Sequence, residues 1–287
     1  MDAYYTIKHW LKLGRWQARR AAAALRWGPQ NLHRMPALIG NAMPKSGSHL
    51  IIQVLHGLPR LGPFVNTGFP PLNRGEDNRK LPVDATLAVL QSMRPGDLAY
   101  GYLRAAEPYL STLKQPGRAT VFVYRDPRDM IISHVFYATQ RHPGHGMHRY
   151  YTEVLTSMEQ RIDAAILGVQ ADGYHLSGVR ARYQGYLGWL DQPNVLCLRF
   201  EDLIQNRDTA LNRLLDYLTG YGFVPRQPRR LAVEMLMSAI DPARSGTFRK
   251  GQPGNWREHF TAANKATFKS SAGDLLVRLG YEEDDGW

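Results

Sequence analysis

The chain has 287 residues, of which 44% are hydrophobic and 21% charged, and it contains one cysteine, Cys197. This length and composition can bury a substantial core, which excludes a disordered chain, and a lone cysteine excludes a disulfide scaffold and a CxxC-type zinc or redox site. With 36 Lys and Arg against 25 Asp and Glu the net charge is +11, which predicts an anionic partner such as nucleic acid, a membrane surface or a phosphorylated small molecule.

Residues 1–34 form the most separate segment of the chain. Aromatic and leucine side chains are mixed there with seven Lys or Arg residues, which predicts a basic amphipathic helix that ends at Gly28-Pro29. The sequence favours a helix packed on the domain and leaves open a peripheral membrane contact through residues 1–27. The cations interrupt any secretory hydrophobic core, and no run of 18 apolar residues is present. We therefore expect a cytoplasmic protein without a spanning helix.

From residue 35 to 287, strand and helix patterns alternate, which predicts a single α/β domain with a parallel sheet. The strands are expected at 36–43, 98–103, 119–124 and 195–200, of which 119–124 is a nearly continuous apolar run typical of a central strand. Helices are expected at 47–55, 84–94, 127–139, 149–170, 177–191, 201–217, 229–239 and 262–279. The segments 57–82, 140–148 and 241–257 are irregular and predict loops.

The first motif, Pro44 to His49 (PKSGSH), lies between the first strand and its helix. Free N–H groups and the dipole at a helix start favour a bound phosphate, and Lys45, Ser46 and Ser48 add a charge and hydroxyl donors. A nucleotide-triphosphatase loop needs a second glycine that is missing here, and no Mg²⁺ partner is evident. Alone, the motif is also compatible with a plain strand–turn–helix in which Ser46 or Ser48 is the N-cap.

The second motif, Arg125 to Asp129 (RDPRD), follows the central strand, and Ser133 comes eight residues after Arg125. Open α/β sheets bind ligands at the carboxyl ends of their strands, and a guanidinium can hold a phosphate bidentately with Ser133 as a further donor. The alternative is an Arg–Asp ion pair that only fastens the turn.

The third motif is Arg249-Lys250-Gly251, within RKGQPGNWREHFT at 249–261. Two cations followed by glycine predict a basic loop with accessible N–H groups. The alternative is a solvated basic loop anchored by Trp256.

In this order the three motifs resemble those of the sulfotransferases, the soluble enzymes that use 3′-phosphoadenosine 5′-phosphosulfate (PAPS). The resemblance implies a three-layer α/β/α fold of the P-loop-like type, transfer of a sulfuryl group from PAPS to a hydroxyl or amine, and 3′-phosphoadenosine 5′-phosphate (PAP) as product. We expect no metal, because fixed cations already surround the phosphates.

The resemblance also implies individual roles. The 5′-phosphosulfate would be bound by Lys45, Ser46, Gly47, Ser48 and His49, and the 3′-phosphate by Arg125, Ser133, Arg249, Lys250 and Gly251. Phe200, in Phe200-Glu201-Asp202-Leu203, is the candidate for stacking on adenine, and Phe248 would help to hold the base. Lys45, Tyr102 and Ser133 are the expected catalytic residues.

The general base is the departure from the family pattern, since Tyr102 stands where the family has a histidine. A tyrosine with the ordinary pKa of about 10 is a poor base at neutral pH. Three interpretations of the general base stay open. Tyr102 acts with help from Lys45, another side chain such as His49, His56 or Glu107 takes the role, or the acceptor needs little help.

The acceptor pocket is expected to include segments 57–82, 140–148 and 220–247. Their apolar residues predict a partly apolar small-molecule or lipid-like acceptor: Phe64, Phe69, Pro70, Leu72, Phe136 and Tyr137. The competing functions are a P-loop-type small-molecule kinase and a non-catalytic protein that binds adenosine bisphosphate or an anionic polymer. We expect no nucleic-acid partner, and the sequence leaves the acceptor and the oligomeric state open.

Overall fold

The computed structural model describes residues 3–171, 173–241, 243 and 251–287. They fall into two compact units. The sheet unit comprises Met1–Tyr124 and Gly188–Arg244, and the helical unit comprises Arg125–Leu187 and Ser245–Trp287.

The described part of the sheet unit is built on a five-stranded parallel sheet in the order β2-β3-β1-β4-β7. Its strands are β1 (Ala37–Ala42), β2 (Val65–Asn66), β3 (Asp97–Gly101), β4 (Arg118–Tyr124) and β7 (Val195–Arg199). Its helices are α1 (Ala3–Trp27), α2 (Pro29–Arg34), α3 (Ser48–Gly57), α4 (Val83–Ser92), α5 (Tyr109–Leu113), α9 (Phe200–Gln205), α10 (Arg207–Thr219) and α11 (Arg229–Met237). The prediction of an α/β fold with a central parallel sheet flanked by helices is confirmed.

The core of the sheet unit explains why these strands formed clear apolar runs. Every residue of β1 is buried, and Leu38 belongs to one buried apolar cluster with Val121 of β4, Ile51 of α3 and Leu211 of α10. A central parallel strand is covered on both faces, so it is continuously apolar rather than alternating. β2 was not predicted because it has only two residues, within a segment without periodicity.

The helical unit contains α6 (Pro127–Phe136), α7 (Met158–Leu167), α8 (Val179–Leu187) and α12 (Ala262–Arg278) among its described residues. It also has a two-stranded antiparallel hairpin of β5 (Gly168–Ala171) and β6 (Tyr174–Ser177). The helix predicted over 149–170 is divided and ends earlier than expected. A π-helical segment covers Tyr150–Val154. α7 begins at Met158, after a capping box between Ser157 and Gln160, and it ends where Gly168 takes φ 93°. The helix predicted at 177–191 ends at Leu187, and that at 201–217 divides at Asn206.

α1 is a helix as predicted, and one of its faces is packed on the sheet unit. Trp16 is buried with Leu32 and Val65, and its Nε1 donates to Asp97 Oδ1 at 2.9 Å. Arg20 donates to the same oxygen at 2.7 Å. Within the described ranges, no helix has the length and apolarity that crossing a bilayer requires.

Candidate functional site

The segment between β1 and α3 forms a tight loop that exposes backbone N–H groups at a helix start. Lys45 takes the positive φ of 69°, and Gly47 follows with φ 94°. The Cβ of any other residue at Gly47 would lie 2.4 Å from Cδ2 of Phe200, so only glycine fits there. Phe200, the first residue of α9, is thus packed directly against the loop.

Two observations show that this loop suits an anion. Ser46 Oγ is fully buried and has no hydrogen-bond partner among the described residues. As far as the described residues show, no side chain caps α3 at Gly47, which removes the predicted alternative of Ser46 or Ser48 as N-cap. A helix start without a side-chain cap, beside the half-buried Lys45, offers both hydrogen bonds and positive potential to a phosphate.

Tyr102 reaches this loop from the segment after β3. Its hydroxyl donates to Ser48 Oγ at 3.1 Å. The side chain of Asn73 bonds both backbone groups of Tyr102. It accepts from the Tyr102 N–H at 3.2 Å and donates to the Tyr102 carbonyl at 3.0 Å. The structure therefore brings together Tyr102 and Ser48, which are 54 positions apart in the chain.

A second asparagine completes this support and was not identified from the sequence. The side chain of Asn41, fully buried at the end of β1, accepts from the Leu103 N–H at 2.8 Å and donates to the Leu103 carbonyl at 2.9 Å. Trp189 Nε1 donates to the same carbonyl at 2.9 Å. The sequence held one signal for this role. An asparagine inside the apolar run PALIGNAM is expected to be buried, and a buried amide needs hydrogen-bond partners.

The alternative bases differ in their surroundings. Although the His49 side chain is partly in solvent, burial and then the charge of Lys45 lower its pKa, so its neutral form dominates at pH 7. His56 also has a lowered pKa, from burial and from Arg19, but it lies eight residues along α3, about 12 Å from Ser48 along the axis. Hydrogen bonds from Ser111 lower the pKa of Glu107, which makes this carboxylate a weaker base.

In the helical unit, the second motif is divided between two functions. Asp126 caps α6 by accepting from the Arg128 N–H at 2.9 Å, and its carboxylate also accepts from the Arg128 guanidinium. That guanidinium bonds Glu282 at 2.5 Å and lies over the rings of Trp256 and Trp287. Both arginines of the motif are therefore ion-paired within it, Arg128 with Asp126 at 2.7 Å and Arg125 with Asp129 at 3.7 Å.

Asp129 connects the second motif to the third. Its carboxylate accepts from the N–H groups of Gly254 at 2.8 Å and Trp256 at 2.9 Å. Burial raises its pKa, while Arg125 and the two N–H donors favour the ionised form and limit the rise. Ser133 lies one helical turn after Asp129 on the same face of α6 and is half-buried.

The third motif is only partly within the described residues. Phe248, Arg249 and Lys250 lie outside them, whereas Gly251 is described and takes φ 61°. Trp256 is buried, as expected of an anchor. Of the residues predicted to line the acceptor pocket, Phe64 is instead packed in the core against Phe223. No group of three His, Cys, Asp or Glu side chains in the described chain is arranged to hold a metal ion.

Together, the parallel sheet and the anion-suited loop after β1 define a P-loop-like α/β protein. A family model described as the sulfotransferase domain matches residues 108–279, which is more than half of the chain. The chain therefore belongs to the sulfotransferase family.

The sequence relatives include cytosolic sulfotransferase 17 of Arabidopsis thaliana, 24% identical over 50% of this chain and 45% of that protein. They also include a 3-alpha-hydroxysteroid sulfotransferase of Cavia porcellus, 23% identical over 52% of each chain. The chain spans about half the length of these relatives.

Two solved structures share the fold. Mouse sulfotransferase SULT7A1 complexed with PAP has a TM-score of 0.58 and 16% identity, covering 86% of this chain and 87% of that one. Retinol dehydratase in complex with androsterone and the inactive cofactor PAP has a TM-score of 0.55 and 14% identity, covering 86% and 83%.

Proposed function

We propose that this protein is an enzyme that transfers the sulfuryl group of PAPS to a hydroxyl or amine of a small, partly apolar acceptor. The observation that carries the proposal is the loop after β1, where the buried Ser46 Oγ, the start of α3 and Lys45 suit a phosphosulfate. Family membership supports the reaction class. The PAP bound in the two similar structures supports the cofactor.

The residues of the sheet unit would hold the 5′ end of the cofactor. Lys45, Ser46, Gly47, Ser48 and His49 would bind the phosphosulfate, and Phe200, packed on Gly47, would contact the adenine. In the helical unit, Arg125 and Ser133 would bind the 3′-phosphate. Arg249, Lys250 and Gly251 would complete that contact, and Phe248 would help to hold the base. No metal is needed, since these cations balance the phosphate charge.

When bound, PAPS would supply the sulfuryl group for the acceptor, and PAP would be the product. Lys45 stabilises the negative charge that develops on the bridging oxygen. Ser133 holds the cofactor in the reactive position. These two residues therefore act on the leaving group, and a third must take the acceptor proton.

Tyr102 is the proposed proton acceptor. Its hydroxyl already donates to Ser48, so Oη can receive the acceptor proton while its own proton passes to Ser48 Oγ. Ser48 in turn releases its hydroxyl proton toward the leaving group. Such a relay needs no free tyrosinate, because the phenol gains one proton as it releases another. His49, neutral at pH 7, is the alternative base.

The same proposal places the enzyme in the cytoplasm, with residues 35–287 as the catalytic domain, residues 1–34 as an N-terminal helical segment, and a peripheral membrane contact through residues 1–27. The name of the Arabidopsis relative and the exposed, basic character of α1 support this placement.

A binding measurement followed by an activity assay tests the proposal. PAP is expected to raise the melting temperature clearly, whereas ATP with Mg²⁺ and duplex DNA are expected to have little effect. Transfer of radiolabelled sulfate from PAPS to a panel of phenols, sterols and long-chain alcohols then identifies the acceptor class. Stabilisation by ATP and Mg²⁺ instead would favour the kinase, and PAP binding without transfer to any acceptor would favour a non-catalytic binding protein.

A further inference from the structure

α1 has an inner face that is bonded to β2 and to the loop between β2 and α4. Lys12 pairs with Glu76 at 2.7 Å, and Arg19 donates to the Asn66 carbonyl at 3.1 Å. Phe69 packs on the Trp16 ring with centroids 6.0 Å apart. Because Asn73 of this loop holds the backbone of Tyr102, α1 is attached to the segment that supports the proposed base.

The outer face of α1 is apolar and in solvent, the reverse of an ordinary surface helix. Seven exposed positions follow one another at spacings of three and four residues: Tyr4, Ile7, Leu11, Gly14, Ala18, Ala21 and Leu25. Ile7 is 61% exposed, Leu11 58% and Leu25 89%, and the neighbouring Trp10 is 64% exposed. We call these seven positions the outer stripe.

The charges of α1 select the kind of surface that fits the outer stripe. Within α1 the sequence has six Lys or Arg residues and no Asp or Glu. The exposed Arg15 borders the outer stripe, as does Lys8, which lies 3.8 Å from Glu76. A second copy docked through the same stripe would bring like charges together, which is unfavourable. An anionic bilayer offers negative headgroups to the cations and an interfacial layer to Tyr4 and Trp10.

We propose that the outer stripe of α1 binds the surface of a membrane that contains anionic lipids. The helix then lies in the plane of the interface with its inner face still packed on the β2–α4 loop. Membrane binding would hold Tyr102 and its supporting loop next to the bilayer. This part of the inference rests on the proposed function. If the chain is a sulfotransferase, this arrangement predicts an amphiphilic acceptor that presents its hydroxyl or amine at the headgroup layer.

Vesicle sedimentation with the full chain, in the absence of cofactor and acceptor, tests the binding surface. We expect binding to vesicles of phosphatidylcholine and phosphatidylserine at about 7:3, and weak binding to phosphatidylcholine alone. The double variant Ile7→Ser/Leu11→Ser is expected to weaken the binding at least about tenfold. Arg15→Glu is expected to weaken it and to reduce its dependence on salt.

The matched control is Val224→Ser/Leu231→Ser, which removes two exposed apolar side chains elsewhere in the sheet unit and should bind vesicles like the wild type. Unchanged circular dichroism and PAP-induced thermal shift show that each variant is folded. Absence of vesicle binding by a chain that binds PAP would overturn this inference and leave the proposed function intact. So would a dimer that only Ile7→Ser/Leu11→Ser dissociates, or vesicle binding that this variant does not weaken.

Discussion

The carboxylate of Asp129 accepts a hydrogen bond from the backbone N–H of Trp256 at 2.9 Å, across 127 positions of the chain. With the second bond from Gly254, it fixes the main chain of the C-terminal motif to the first turns of α6. The guanidinium of Arg128 lies over the Trp256 ring with its carbon 3.9 Å from the ring centroid. Asp129 is therefore a positioning residue for the proposed 3′-phosphate contacts of Arg125 and Gly251.

Replacing Asp129 by Asn removes the negative charge and one of the two acceptor bonds, because the amide nitrogen cannot accept. We expect a loss of stability of about 1.5–3 kcal/mol, as for a hydrogen bond to a charged group. The Kd for PAP should rise about tenfold, while the Kd for AMP, which lacks the 3′-phosphate, should change little. Calorimetry with both nucleotides measures the two Kd values in the wild type and in the variant. Asp163→Asn, which loosens a bond to Asn264 in the same unit, controls for destabilisation alone.

Lys45→Ala removes the cation proposed to stabilise the leaving group. We expect kcat to fall by about 10²–10³, with a smaller loss of PAP affinity. Steady-state kinetics with varied PAPS separates the two effects. Lys114→Ala, at an exposed lysine of the same unit, should behave like the wild type, and full activity of Lys45→Ala would remove the assignment.

Tyr102→Phe removes the hydroxyl that donates to Ser48 and keeps the ring and the backbone bonds to Asn73. We expect kcat to fall at least about 10²-fold with nearly unchanged PAP affinity, since proton transfer contributes that much. The neighbouring Tyr100→Phe is the control, because burial raises the pKa of Tyr100 to about 12 and Tyr100 has no proposed part in the reaction. If Tyr102→Phe were fully active, the base would be assigned to His49 instead.

His49 should make PAP binding depend on pH. Its pKa lies below the ordinary 6.5 in the free protein, and a bound phosphate favours the imidazolium. PAP affinity is therefore expected to increase as the pH falls from 7 toward 6, with proton uptake on binding. The His49→Gln variant should lose this slope. In His56→Gln the slope should persist, because the lowered pKa of His56 arises from burial and Arg19.

The pKa of His49 also affects stability. Between its folded-state pKa and the unfolded value of 6.5, the unfolded chain binds more protons, so the free energy of unfolding rises with pH there. Urea titrations of the wild type and His49→Gln between pH 5 and 7, about the range in which histidine titrates, should show a shallower rise in the variant.

Asn41→Ala leaves the Leu103 N–H buried without its acceptor, whereas the Leu103 carbonyl keeps the bond from Trp189. We expect a loss of about 1–3 kcal/mol in the free energy of unfolding, together with a lower kcat because Leu103 adjoins Tyr102. Urea unfolding and kinetics measure the two losses. Asn31→Ala, which removes a solvent-exposed bond to the Trp27 carbonyl, should cost much less.

The sequence was sufficient for the α/β class, for four strands of the sheet and for the three motifs. Continuous apolar runs such as 119–124 indicate buried parallel strands, and the residues after each run indicate the ends where anions bind. These signals are local, since each depends on neighbours within one strand or one helical turn. The hairpin of β5 and β6 was missed because each strand has only four residues and the first follows the predicted helix directly. The dipeptide Asp172-Gly173 in the sequence, which is typical of two-residue hairpin turns, was the available signal.

Only the tertiary structure decided which polar side chains act together. Asn41 and Asn73 hold the segment around Tyr102, Arg128 pairs with Glu282, and Asp129 anchors the main chain at Trp256. Each of these pairings joins residues that are far apart in the chain. A buried carboxylate or amide must find partners, but its type and spacing do not say which ones. Sheet order and helix packing make that choice, and they are properties of the whole fold.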